Sequence, residues 1–380
     1  MPLTELLKHF KARESETIEL ATQLIEIESP SRDFEGSVAA ADWIASRVNE
    51  ILPNAEVKFI DAEGYGRHLL IEAFTECPGK PILFLGHSDT VHPAGSKLRN
   101  PTRVEGERFY GCGGFDMKVN IAVILEVFFA IKEYGLEPAR PIKLLISCDE
   151  EIGSTTGREH VETAAAESEF CLVLEPSANG RVKTGRKGTG EFHIKCEGIP
   201  SHAGLDPKRG ASAILEIAKQ IVKLQSFSNF ETGTTVNVGT VHGGTTTNVV
   251  PAEAECAVDI RFETIAEAER LEQEIRSLTP FDERVKLEIT GDINRPPLER
   301  TKEVIALFER AKAYAAEIGF NLEDAQVGGA SDGNFVAALG IPVLDGLGVK
   351  GDGAHTLDEY VIVSDIPYRA VLLAKFIIEG

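Results

Sequence analysis

Pro81-Ile82-Leu83-Phe84-Leu85-Gly86 runs directly into His87-Ser88-Asp89. The arrangement recurs twice. Ile142-Lys143-Leu144-Leu145-Ile146-Ser147-Cys148 runs into Asp149-Glu150-Glu151, and Cys171-Leu172-Val173-Leu174 runs into Glu175. Short apolar runs that end in a turn read as buried strands. In open α/β sheets, ligands bind beyond the carboxyl ends of the strands. Three separate strands are therefore expected to deliver imidazole and carboxylate groups to one edge.

The neighbouring segments fit such a sheet. Residues 3 to 52 show helical spacing, broken around Ser29-Pro30-Ser31, and residues 56–60 and 68–73 read as strands. Met117 to Tyr134 reads as a buried helix closed by Gly135, and a helix is expected around 155–168. Strands alternating with helices predict a mostly parallel sheet with helices on both faces. From residue 190 to 295 the pattern becomes strand, helix, strand, strand, helix, strand, the ferredoxin-like order. The first style resumes with a helix over 300–318, a strand over 341–344 and a helix over 365–378. The expected architecture is an α/β/α catalytic domain, residues 1–189 and 296–380, split by a ferredoxin-like insertion at 190–295.

Composition narrows the function classes. The 380 residues are 43% apolar and carry a net charge of -21. Such a surface repels nucleic acid and disfavours anionic membranes. Six cysteines, at 77, 112, 148, 171, 196 and 256, include no CxxC pair, which argues against a disulfide scaffold and a thiolate zinc site. The first residues lack a basic stretch followed by an apolar one, so no signal peptide is read. The expectation is a soluble cytoplasmic protein without nucleic-acid or membrane partners.

His87, Asp116, Glu150, Glu151, Glu175 and His355 supply the nitrogen and oxygen donors that a two-metal hydrolase needs. Asp116 lies in Gly111-Cys112-Gly113-Gly114-Phe115-Asp116-Met117-Lys118, where the glycines allow a sharp bend and one carboxylate can bridge two ions. Glu150 and Glu151 are adjacent, so in extended backbone they point different ways; one can ligate while the other serves as base. Asp89 can accept a hydrogen bond from His87 and fix its ring. A lone histidine or acid in a loop is ordinarily a solvated polar residue, and His92, His160, His193 and His242 receive that reading. The repetition at three strand ends separates the others from it.

These segments, with Ser201-His202-Ala203-Gly204, Asn248-Val249-Val250-Pro251-Ala252 and Gly353-Ala354-His355, resemble the M20 family of metallopeptidases and amidohydrolases. Gly185-Arg186-Lys187-Gly188-Thr189 and Gly328-Gly329-Ala330-Ser331-Asp332 are similar to its glutamate carboxypeptidase branch. The resemblance implies that His87 and Glu175 hold one divalent ion, Glu151 and His355 a second, and that Asp116 bridges them. Zinc is the expected metal, with cobalt or manganese able to fill such sites. It further implies Glu150 as general base and acid, Asp89 orienting His87, and a cis peptide after Asp116. The insertion becomes a lid through which two copies dimerise. His202 polarises the scissile carbonyl of the partner's site, and Lys187, Asn248 and Arg261 bind substrate, Arg261 gripping a carboxylate. The implied reaction is hydrolysis of a C-terminal peptide or N-acyl amino-acid amide bond. The alternative is a deacylase of the acetylornithine deacetylase, succinyl-diaminopimelate desuccinylase or aminoacylase type. Cys112 and Val119-Asn120 depart from the family pattern at positions that supply no ligand.

Two other classes compete. Gly329-Ala330-Ser331-Asp332-Gly333 fits a G-x-S-x-G elbow, with Asp345 and His355 following in the order of a serine hydrolase. The preceding stretch, 322–327, is too polar for the central buried strand that an elbow requires. A non-catalytic binding protein on the same scaffold would lack a ligand or base, and every matched position here is filled.

Overall fold

Ile82–His87, Ile142–Ser147 and Phe170–Val173 are buried along their whole length, as largely apolar runs require of strands covered on both faces. In this computed structural model, which describes residues 1–380, they lie at the centre of a six-stranded sheet. The order is Glu56–Ala62, Gly66–Ala73, Ile142–Ser147, Ile82–His87, Phe170–Val173, Val343–Leu344. Ile82–His87 is parallel to both neighbours, and Val343–Leu344 is parallel to Phe170–Val173. Gly66–Ala73 alone runs against its neighbours. The three central carboxyl ends therefore emerge at one edge.

Alternate residues face opposite layers. Phe84, Leu144, Ile146 and Leu172 join the main core, beneath Val119–Glu133, which is packed between Glu14–Glu26 and Ile366–Glu379. That helix is apolar all round because it has protein on every side; its one buried acid, Glu126, receives Arg13 Nε at 2.8 Å. Leu83, Leu85, Leu145 and Val173 are buried outside that cluster, where Arg158–Ala166 and Gly333–Ala338 pack. Lys143 is tolerated in a buried strand because register places it opposite Glu72, 3.2 Å from its Nζ.

The remaining unit, Arg186–Glu299 with Gly328–Ala330, is separately compact. Its antiparallel sheet runs Thr235–Gly243, Glu253–Phe262, Gly188–Glu197, Lys286–Arg295, the ferredoxin-like order. Ala213–Gln225 and Ile265–Arg276 cover the apolar face. Ser212 and Thr264 cap them, accepting from Leu215 N–H and Glu267 N–H. The unit is slightly wider than 190–295, because the backbones of Arg186 and Leu298 pair reciprocally at 3.0 Å.

Other boundaries also differ from expectation. The helical region 3–52 is three helices, Leu3–Ala12, Glu14–Glu26 and Phe34–Ile51; the break at Arg13 carries no glycine or proline to signal it. The buried helix starts at Val119, because Gly114–Lys118 is an irregular turn with a cis Asp116–Met117 peptide. Asp324–Val327 is a strand, paired only with Val182–Arg186 in a two-stranded sheet, which suits its polarity. No helix is long and apolar enough to cross a membrane, and all six cysteines are free.

Candidate metal centre

Ile82–His87 ends on an imidazole that the fold leaves little freedom to move. Gly86 precedes it because a Cβ there would meet Met117 Cε at 2.8 Å. His87 Nδ1 faces the Asp89 carbonyl at 3.0 Å and donates to it, so in the neutral ring the lone pair falls on Nε2, which points inward. Nε2 lies 3.1 Å from Asp116 Oδ1 and 3.4 Å from Glu175 Oε1. On the other side of Asp116, His355 Nε2 lies 3.5 Å from Oδ2 and 3.1 Å from Glu151 Oε2. Two clusters, His87–Asp116–Glu175 and Asp116–Glu151–His355, thus share one carboxylate.

Each arm has a local cause. Gly113, at φ 70°, turns the Asp116 loop inward, and a side chain there would strike Thr90 Cγ2 at 2.3 Å. His355 itself sits at φ 66°, a conformation that a non-glycine residue holds only when its surroundings impose it. Glu150 and Glu151 open a 3₁₀ turn rather than an extended segment, so the turn, not strand alternation, separates their directions. The Asp89 carboxylate anchors that turn, accepting the N–H groups of Glu150 and Glu151, each at 3.2 Å. The hydrogen bond fixing His87 is donated by its Nδ1–H to the Asp89 carbonyl, with the carboxylate 3.5 Å away.

The electrostatics call for added positive charge. Burial works against charging His87, yet Asp116, Asp89 and Glu175 outweigh it and hold its pKa well above the ordinary range. Asp116 and Glu151 raise His355 to about 10. Burial opposes ionisation of Asp116, but His355 and His87 keep its carboxyl well below the usual range. Burial pushes Glu151 up despite His355, and Glu151 Oε1 is buried without a hydrogen-bond partner. In the metal-free protein, protons on the two imidazoles offset the acids; divalent ions can take that place. Donor separations of 3.1–3.5 Å suit groups that share an ion roughly 2.0–2.2 Å from each. Imidazole and carboxylate donors without thiolate suit zinc, cobalt or manganese. The residues present fit two ions.

Sequence reasoning missed Ser31, whose hydroxyl donates to Asp89 at 2.7 Å. The helix break at Ser29-Pro30-Ser31 was the available signal, since Pro30 bridges Thr90 beside the His87 strand end. It also missed Lys183, nearly buried, with Nζ 3.9 Å from Glu175 Oε2.

The other expected site residues lie in the smaller unit. His202 is exposed, and its Nδ1 accepts from Gly204 and Leu205 N–H at 3.1 Å, which makes Nε2–H the outward donor. Asn248 stands beside it: its carbonyl accepts Ala203 N–H, and Val249 bridges His202. Arg261 donates through Nε to both Asp259 oxygens at 2.8 Å. Lys187, at the same end of the sheet, donates to the Gly233 carbonyl and lies 3.6 Å from Glu263.

The serine-hydrolase alternative is corrected. Ser331 is buried and donates directly to Asp345 Oδ2 at 2.6 Å, while His355 is turned to Asp116 and Glu151. No imidazole lies between the serine and the acid, so the triad is not assembled.

Residues 83–379 match the model of peptidase family M20/M25/M40. The chain is 28% identical to carboxypeptidase G2 of Pseudomonas sp. (strain RS-16), over 95% of this chain and 88% of that protein. It is 32% identical to the succinyl-diaminopimelate desuccinylase of Verminephrobacter eiseniae, over 76% and 75%. Among solved structures it is similar to a tripeptidase from Staphylococcus aureus, with TM-score 0.80, 23% identity and coverage of 96% and 98%. It is also similar to a dinuclear metal-binding peptidase of the M20 family from Bacillus subtilis, with TM-score 0.67, 17% identity and coverage of 97% and 98%. With two carboxylate–imidazole clusters sharing Asp116 and a family match across most of its length, the chain belongs to peptidase family M20/M25/M40 and is a metal-dependent hydrolase.

Proposed function

We propose that this hydrolase binds two divalent ions, zinc first, and cleaves the amide bond next to a terminal amino-acid carboxylate, as a glutamate carboxypeptidase-like exopeptidase. The observation that carries the reading is the Asp116 carboxylate, with one oxygen toward His87 and the other toward His355. His87 and Glu175 would hold one ion, Glu151 and His355 the other, with Asp116 between. Bound divalent ions supply Lewis acidity, lowering the pKa of water and polarising a carbonyl. Glu150, held on the Asp89-anchored turn, takes the proton of the attacking water and returns it to the leaving amine. His202 offers Nε2–H to the developing oxyanion. Arg261, fixed through Nε by Asp259, presents its outer edge to the substrate carboxylate, with Lys187 and Asn248 as further substrate contacts.

The second reading is an N-acyl amino-acid deacylase, favoured by the desuccinylase relatives. Both reactions use the same groups and differ in the acyl portion. Turnover of a panel of N-acyl amino acids and C-terminal dipeptides by zinc-loaded enzyme separates them. Preference for C-terminal glutamate supports the first, preference for succinylated or acetylated amines the second, and turnover of neither contradicts both.

A homodimer through the smaller unit belongs to this proposal. Leu215 and Val222 on Ala213–Gln225 are 58% and 73% exposed, and the edge strand Thr235–Gly243 exposes Val241. An apolar helix face beside an open edge strand suits a second copy. The cytoplasm suits its free cysteines.

A further inference from the structure

His92 reads as an ordinary loop histidine, and no spacing in the sequence marks Glu359. In the structure they meet beneath the Asp116 turn. Glu359 is fully buried. Its Oε2 accepts from His92 Nε2 at 2.7 Å and from Gly113 N–H at 2.8 Å, and its Oε1 accepts from Asp116 N–H at 2.8 Å. Strand register creates the meeting. Gly351–Asp352 and Tyr360–Ile362 form a hairpin, and Tyr360 pairs with Tyr110, the residue before the glycine turn. The hairpin carries His355 in its connection and Glu359 at its base. Three segments converge on one carboxylate: the His87 strand end through His92, the glycine turn through Gly113 and Asp116, and the His355 hairpin through Glu359.

A carboxylate buried without water is costly unless donors surround it. Here two of the three donors are backbone N–H groups of the glycine turn, and one of them belongs to the bridging residue itself. We propose that Glu359, steadied by His92, is a positioning residue that sets the Asp116 carboxylate in register with His87 and His355. This rests on the reading of those three residues as metal ligands. The group cradled is backbone, so no other side chain on the turn can substitute. Asp116 has its peptide N–H held at one end and its two carboxylate oxygens aimed at the other.

Glu359→Gln keeps the volume but places an NH₂ against one of the N–H donors. Metal-free wild type and E359Q are titrated with zinc against a competing chelator, alongside circular dichroism and thermal unfolding. Val361→Ala, a buried truncation in the same hairpin, controls for loss of packing. The expected result is an E359Q zinc affinity lower by about 10- to 100-fold, the range for groups that orient metal ligands. V361A should lose stability yet bind zinc as tightly as wild type. Equal affinity in E359Q and wild type overturns the inference, as does an equal loss in V361A. Wild type that holds fewer than two ions instead overturns the ligand assignment, and the inference with it. Should E359Q fail to fold, His92→Leu decides: about tenfold weaker binding, restored by His92→Gln, supports the role, and unchanged binding in H92L removes it.

Discussion

His87 and His355 aim their Nε2 atoms at opposite oxygens of the same carboxylate, that of Asp116. One comes from the end of a central strand and the other from a hairpin near the C-terminus. Their convergence divides the remaining acids into two sets, Glu175 with His87 and Glu151 with His355.

Glu150→Gln separates base catalysis from metal binding. It should lower kcat by about 10²- to 10⁴-fold while leaving two ions per chain by elemental analysis. Loss of the ions would make Glu150 a ligand, and retained turnover would exclude it as the base.

Asp89→Asn tests the anchoring of the 150–151 turn. An amide offers one acceptor where the carboxylate receives Ser31, Glu150 and Glu151. The expected outcome is about a 10- to 100-fold fall in kcat/KM with intact circular dichroism. Unchanged kinetics would leave Asp89 with only the carbonyl contact to His87.

Protons and ions compete for the cluster. His355 is raised to about 10 from 6.5, so in metal-free protein its stabilising pairing is fully present below pH 6.5. That contribution is lost as pH rises through about 10. His87 is raised in the same direction. Loading near neutral pH must then expel these protons, and apparent metal affinity should rise with pH over that window. Calorimetry in buffers of different ionisation enthalpy should find about two protons released on filling both sites. Zero release would mean that the imidazoles carry no displaceable proton in the metal-free protein.

His202→Ala should lower kcat by about 10²- to 10³-fold, as for loss of an oxyanion donor, with metal content unchanged. His202→Gln, which restores an N–H, should recover part of it. Mixing H202A with E150Q tests whether the donor comes from the partner copy. Regained activity in the mixture supports a shared site, and none contradicts it.

The sheet was legible because its three central strands are short, largely apolar runs, and three of the clustered donors, His87, Glu151 and Glu175, because they lie at or just past the ends of those runs; Asp116 and His355 were marked by the family resemblance. The smaller unit was legible from its change in periodicity. What escaped reading depended on backbone and on distant pairing. The helix break at Arg13 has no breaker residue. The geometry of Glu150-Glu151 follows from amides bound to Asp89, 61 positions earlier. The Glu359 contacts lie 243 and 246 positions from their partners, and a carboxylate that serves backbone N–H groups leaves no pattern in spacing.

The most direct measurement is anomalous-difference density at the zinc edge from crystals grown with zinc. The account predicts two peaks per chain, roughly 3.5–4 Å apart, one beside His87 and Glu175, the other beside Glu151 and His355, with Asp116 between. A single peak, or peaks remote from Asp116, would contradict it.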